Sequence, residues 1–430
     1  MPRTTSTSEQ AVVWVWLPQE VTPVPAGVLR RRSDGRAWFR YGRTYLDDPR
    51  AISLYEPTLP LRDAWIEPPA GWAIAPNLRD AGPDAWGQRV ILDRLHGRRG
   101  TTADVTDVDE LTYLLRSSSN RVGGLDFQES SRRYVARDET AALDELYDAA
   151  SALDHGQELT PALHAALESG TGIGGARPKA NLVDGGRQII AKFTSSSDTF
   201  PVVQAEAVAI HLAGAVGIAV PRAEVVRSRG RWALVVERFD RTPDGARRLV
   251  VSGLTMTGLT ESTARVGTYP ELVDVLRAHG AGPAVGEDVF RRVAFNIAIS
   301  NNDDHLRNHA AFWDGHRLAL TPAYDLSPGA RSGNTMFQAI AYGRDGQRES
   351  RLATLVSVAA EYGLTAREAH DVVEHLVETI DARWDEACDA ARLTRAEAAS
   401  LHRRQFLHRS VFFDLGKYLK DTEDGPQVSI

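Results

Sequence analysis

A single cysteine, Cys388, is all the thiol chemistry this chain offers. Neither a disulfide framework nor a cysteine-built metal site can form within it. Its setting, DARWDEACDAARL, reads as a helix face, so a packed structural thiol is expected. Long apolar runs are missing too. Nothing approaches the ~20 residues needed to span a bilayer, and the early run AVVWVWL is short and strand-like. The opening MPRTTSTSEQ has little of the positive charge of a secretory leader. A cytoplasmic protein with no membrane contact is the expectation. A net charge of −7 gives no chain-wide basic footprint for nucleic acid. The last scarcity is lysine. Of 50 basic residues only Lys179, Lys192, Lys417 and Lys420 are lysines, and the rest are arginine. A chain that writes Arg for generic positive charge uses an interior lysine for a chemical reason.

What is present suffices for a multi-lobed protein. With 430 residues, 43% of them hydrophobic, the chain can bury more than one core, and two or three domains or lobes are expected at about 150 residues each. Residues 1–130 look β-rich, with AVVWVWL, AGVLRRR and RAWFRYG as short strands between Pro/Gly turns and one helix, PDAWGQRVILDRLHGR. Residues 131–250 begin with two helices over 138–168, capped by Asp138 and Thr160. The strands ANLVDGG, RQIIAKF and RWALVVERFD follow, with the helix VQAEAVAIHLAGAVG between the last two. Residues 251–420 read as helical, including TAREAHDVVEHLVETIDARWDEA and RAEAASLHRRQFLHRSVFFDLGKYL, and 421–430 as a flexible polar tail. The fold class expected is α+β and bilobal, a β-rich part followed by a mainly helical lobe.

Four glycines in six residues, Gly170-Thr171-Gly172-Ile173-Gly174-Gly175, stand between a helix and a strand. Such a run lets successive backbone N–H groups face one anion, though it serves equally as a flexible hinge. The lysines tip the balance toward phosphate. Lys179 follows the loop closely, and Lys192 shares one face of the strand RQIIAKF with Ile190. A compact ammonium suits a point contact to nucleotide phosphates in a cleft. Glu206, in the next helix, is either a partner for Lys192 or a solvent-facing carboxylate. The segment ending Glu237-Arg238-Phe239 can offer backbone groups to an adenine edge, or be an ordinary edge strand.

FNIAISNNDDHLRNHAAFW is the most informative stretch. Asp303 and Asn308 have the D-x-x-x-x-N spacing of a kinase catalytic loop, in which the aspartate accepts the acceptor hydroxyl's proton and the asparagine helps to hold Mg²⁺. Asp325, in RLALTPAYDLSP, follows an apolar strand where a kinase keeps its second metal-binding carboxylate. NNDDH and YDLSP replace H-R-D and D-F-G, which excludes an ordinary eukaryotic protein kinase. A polar loop capping the preceding helix would need no later aspartate. A hydrolase metal site of Asp303, Asp304, His305 and His309 would leave the glycine loop and lysines unexplained.

Taken in order, GIGGARPKANL, IIAKF, ERFDR, NDDHLRN and LTPAYDLSP resemble the HipA kinase family, and AGVLRRR, RAWFRYGRTYLDDPRAISLYEPTLPL and NRVGGLDF resemble that family's β-rich N-terminal region. The resemblance implies an atypical bilobal protein-kinase-like fold with an extra N-terminal subdomain, and an ATP- and Mg²⁺-dependent Ser/Thr protein kinase. It makes Asp303 the catalytic base and Asn308 and Asp325 the metal ligands. Gly174, Gly175, Ala176, Arg177, Pro178, Lys179 and Lys192 would contact the phosphates. Glu237, Arg238 and Phe239 would line the adenine, and His305 and Tyr324 would border the nucleotide. Family members phosphorylate translation components such as aminoacyl-tRNA synthetases and pair with a small helix-turn-helix antitoxin, through which most operator DNA contact runs. Some autophosphorylate a serine in the glycine loop. Gly172 stands nearest that position here, with Thr171 as the adjacent hydroxyl. The alternatives are a small-molecule kinase of the aminoglycoside or choline type, and a kinase-fold corepressor that works by binding an antitoxin.

Overall fold

The computed structural model describes residues 9–96, 108–137, 179–184, 186–194, 198–228, 230–331 and 333–415. The expected helices over 138–168 and the glycine loop through Pro178 lie outside these residues. The chain divides into two compact units, Met1–Ser197 with Val226–Thr255 and Ala311–Leu318, and Asp198–Val225 with Met256–Ala310 and Ala319–Ile430.

The first unit holds most of the strands. The alternation read in the sequence folds into an antiparallel sheet of β1 (Gln10–Val15), β2 (Val24–Arg31), β3 (Ala37–Tyr41) and β4 (Leu125–Gln128), in the order β3-β2-β1-β4. A register shift between Val13 and Trp14 lets both Val13 and Trp14 be buried, since a bulge re-aims the side chains that follow it. The helix Ala85–His96 starts where Asp84 accepts from the Gly87 amide at 2.7 Å. A second sheet contains β5 (Lys179–Asp184), β6 (Arg187–Phe193), β7 (Ala223–Ser228) and β8 (Arg231–Glu237), in the order β5-β6-β8-β7. β7 was not anticipated, because AEVVRS is too short and polar to stand out. β9 (Leu249–Ser252), β10 (Ala310–Trp313) and β11 (Leu318–Leu320) pair in the order β11-β10-β9.

Helices dominate the second unit: Val202–Ala215, Tyr269–Ala278, Val285–Ala298, Ala366–Ala382, Trp384–Ala390 and Arg395–Leu401. Three of them begin with the same T-x-x-E device. Thr268 with Glu271, Thr365 with Glu368, and Thr394 with Glu397 each satisfy two orphan N–H groups reciprocally. Val285–Ala298 packs against Tyr269–Ala278 and Ala366–Ala382. Cys388 is buried, and burial, with Asp385 and Asp389 nearby, pushes its thiol up to about 12, so it is the inert packed group expected.

The long helix read over RAEAASLHRRQFLHRSVFFDLGKYL is not formed. It stops at Leu401, and Arg403, Leu407 and Asp414 take left-handed backbone angles. The apolar residues are buried by a chain that folds back instead. Phe406 meets the Trp384 ring at 5.0 Å, and the Leu407 amide donates to the Ala298 carbonyl at 2.7 Å. Likewise TAREAHDVVEHLVETIDARWDEA is two helices, interrupted at Arg383 (φ −104°). No helix among the described residues is long and apolar enough to cross a membrane.

Candidate active site

The helix Val285–Ala298 delivers the chain to Ser300, whose φ of 55° ends it and turns Asn301–Asn308 into a loop. The two aspartates of NNDDH then part. Asp303 is exposed, whereas Asp304 is 2% exposed. Asp304 accepts from Asn296 Nδ2 at 2.6 Å, from His309 Nε2 at 2.9 Å and from the Tyr269 hydroxyl. Burial, and then the Asp304 carboxylate beside it, push the Tyr269 phenol far above its ordinary value, so Tyr269 stays a donor. The Asp304 bond assigns the His309 proton to Nε2. The Asp304 constellation is thus a buried girder, and Asp303 is left outside it.

Asn308 closes the loop by donating from Nδ2 to the Asp303 carbonyl at 3.3 Å. Its side-chain oxygen is the atom that remains for a ligand. Asn301 Nδ2 donates to Asn296 Oδ1 at 3.0 Å and to the Asp325 carbonyl at 3.3 Å. The girder therefore reaches the backbone of the second candidate metal residue. Asp325 itself has φ 58°, a conformation costly for a residue with a Cβ and frequent where function fixes the backbone. Tyr324 donates its hydroxyl to the Arg307 carbonyl at 2.7 Å, so Tyr324 is occupied in joining the two segments. His305 is half-buried. Asn308 and Asp325 offer the hard oxygen atoms that Mg²⁺ prefers. Among the described residues, Asp303, Asp304, His305 and His309 do not gather as a metal cluster, and the Asp304 and His309 side chains are engaged with each other.

In the first unit, β6 buries Ile189, Ala191 and Phe193 and leaves Ile190 and Lys192 on the other face. The β5–β6 register sets the Cα of Lys179 opposite that of Lys192. The rest of the expected phosphate cradle, Gly174, Gly175, Ala176, Arg177 and Pro178, with Thr171, lies outside the described residues. Glu206 is buried at 4% exposure, so the solvent-facing reading of it is set aside.

The end of β8 differs from a plain edge. The Arg238 amide donates to the Gln188 carbonyl at 2.9 Å, and its side chain points into a buried network. It grips Asp240 with two bonds, at 2.9 and 2.7 Å, and reaches Asn120 Oδ1 at 2.8 Å and Asn181 Oδ1 at 2.9 Å. Arg241 adds a further bond to Asp240 at 2.8 Å, and the Gly123 amide donates to the same carboxylate at 2.7 Å. Burial opposes ionisation of Asp240, but the Arg238 and Arg241 guanidiniums outweigh it and hold the carboxyl well below the usual range. The Arg238 side chain is thereby spent on this network, and the Phe239 ring packs edge-on against Phe312 at 5.9 Å. Sequence reasoning missed this role, and those of Asn296, Asn301 and Tyr269. The signal available was the pairing of charges in ERFDR and the doubled aspartate of NNDDH.

Residues 171–384 match the family model described as the HipA-like C-terminal domain. Two Sinorhizobium fredii proteins are similar in part: "Putative kinase Y4dM", 35% identical over 95 residues, and "Putative kinase Y4mE", 30% identical over 148 residues. Those matches take in 22% and 32% of this chain, and the chain spans 23% and 33% of the length of these relatives. A chain of the Shewanella oneidensis MR-1 toxin–antitoxin complex of HipA, HipB and operator DNA superposes with a TM-score of 0.66, covering 93% of this chain and 97% of that one. At 17% identity that likeness is one of fold.

Proposed function

The chain belongs to the HipA-like family through its residues 171–384, and from that premise we propose that it is an ATP-dependent kinase that phosphorylates a Ser or Thr hydroxyl of a protein. The carrying observation is the split of two neighbouring carboxylates, Asp303 exposed and Asp304 buried in hydrogen bonds, at the head of a loop closed by Asn308. In this reading Asp303 orients the acceptor hydroxyl and takes its proton as the phosphoryl group transfers. Asn308 and Asp325 hold Mg²⁺, which neutralises charge on the phosphate oxygens. Lys192 and Lys179, with Gly174 to Pro178, bind the phosphates. Glu237 and Phe239 line the adenine, and His305 and Tyr324 border the nucleotide. Thr171 is the candidate site of self-phosphorylation.

Residues 1–130 are the N-terminal subdomain in this account, 131–250 the nucleotide part, 251–420 the catalytic lobe and 421–430 a tail. The fold likeness to a chain solved with HipB and operator DNA supports a cytoplasmic toxin held by a small helix-turn-helix antitoxin, with DNA contact mainly through that partner. A translation factor such as an aminoacyl-tRNA synthetase is the proposed substrate class. Incubation with radiolabelled ATP, Mg²⁺ and a cell lysate tests the reading. Label is expected on a protein band with wild type and not with Asp303→Asn. Label appearing only on small molecules would assign the chain to the aminoglycoside- or choline-type kinases instead.

A further inference from the structure

Beyond the catalytic loop, the second unit contains a basic niche with no acid in it. Arg331, six residues after Asp325, is half-buried. Its guanidinium donates to two hydroxyl oxygens, Ser300 Oγ at 3.0 Å and Ser410 Oγ, and its Nε is buried with no acceptor. His408 accepts the Ser410 amide at Nδ1 (3.3 Å) and lies 2.9 Å from Ser410 Oγ, so its ring proton sits on Nε2. Arg409 is exposed and donates from Nε to Asn334 Oδ1 at 3.4 Å. None of the three is within ion-pair distance of a carboxylate among the described residues. Other arginines of the same unit do meet a carboxylate, Arg307 with Glu261, Arg344 with Asp274 and Arg403 with Asp381. Burial, with the Arg331 and Arg409 charges, holds the His408 imidazole down to about 4, which agrees with a local surplus of positive charge.

Guanidiniums left without carboxylates, beside an imidazole N–H and two hydroxyls, make a set of donors that outnumbers the acceptors around it. A tetrahedral dianion with three oxygens is the ligand that satisfies such a set, because guanidinium forks match phosphate geometry and the bonds are charge-assisted. We propose that Arg331, His408 and Arg409 form a receptor for a phosphomonoester, either a phosphorylated Ser or Thr side chain or free phosphate. Arg331 joins this receptor to the catalytic segment. Ser300, which it holds, is the left-handed residue from which the loop departs, and the Gly329 amide donates to the Ser300 carbonyl at 3.0 Å. A Cβ on Gly329 would lie 2.8 Å from that carbonyl oxygen and from Asn302 Oδ1, so this stretch has no room to shift freely.

The test is a calorimetric titration of the full chain, without nucleotide, against a Gly-flanked phosphoserine heptapeptide, its serine counterpart and inorganic phosphate. Wild type is expected to bind the phosphopeptide and not the serine peptide. Arg409→Ala, at an exposed position, and Arg331→Lys are each expected to weaken binding about tenfold or more, the loss of roughly one charge-assisted contact. Inorganic phosphate binding as tightly as the phosphopeptide would assign the free anion as the ligand. Equal affinity of Arg409→Ala and wild type, with melting unchanged, would overturn the proposal. So would loss of binding in Lys192→Ala alone, which would put the anion at the nucleotide lysine. The titration needs no phosphoryl transfer, so an inactive Asp303 loop would leave its outcome untouched.

Discussion

Each unit contains a buried aspartate at the centre of a hydrogen-bond network, and the two are built from different materials. Asp240 is gripped by Arg238 and Arg241, and the carbonyl of Arg121, itself fully buried against Asp126, accepts from Arg238. Among the described residues Asp304 meets no guanidinium at ion-pair distance. Its partners are a phenol, an amide and an imidazole. An ionic network fails hard when one charge is removed, because the remaining charges stay buried and uncompensated. A network of polar donors loses about one hydrogen bond's worth per group. The first design suits a segment that must be clamped in one position, as the stretch following β8 is. The second suits the root of a loop, where an exposed neighbour has to be held in place.

The largest expected effect follows from breaking the ionic side. Asp240→Ala should destabilise the chain by about 3–5 kcal/mol, read by denaturant unfolding, and a cost near zero would show that the network is ornamental. Asp304→Asn keeps the shape but replaces an acceptor oxygen with an N–H donor that faces other donors, at a cost of about 1–3 kcal/mol; a loss as large as that at Asp240 would erase the contrast between the two networks. Acid sharpens the same comparison. The folded Asp240 carboxyl is held below its unfolded value, so its contribution is complete above about pH 4, the ordinary carboxylate value, and is lost as pH falls toward the depressed folded one. Stability measured from pH 6 to pH 2 should fall less steeply in Asp240→Asn than in wild type. The smallest effect concerns ligand. ATP with Mg²⁺ should raise the melting temperature of wild type by mass action, and Lys192→Ala should lose most of that shift. An equal shift in both would remove Lys192 from the phosphate site.

Much of the architecture was legible. The period-2 runs of β1 to β3 and the D-x-x-x-x-N spacing are local signals, and local signals survive translation into structure. What the sequence could not disclose was set by distant partners. RAEAASLHRRQFLHRS has helix-forming composition, yet burial of Phe406 against Trp384 favours a folded-back chain. Arg238 lies in a segment read as an adenine contact, but Asn120, Arg121 and Gly123, over a hundred residues earlier, form the other side of its network. Asp303 and Asp304 are indistinguishable as letters. Only Tyr269, Asn296 and His309 decide which of them is buried.

That decision carries the account, and one paired measurement tests it. Phosphoryl transfer, nucleotide affinity and melting temperature should be compared for wild type, Asp303→Asn and Asp304→Asn. The expected result is that Asp303→Asn keeps its melting temperature and nucleotide affinity while transfer falls by roughly 10²–10⁴-fold, and that Asp304→Asn melts lower. Full transfer by a folded Asp303→Asn protein would contradict the assignment of this loop and the kinase reading with it.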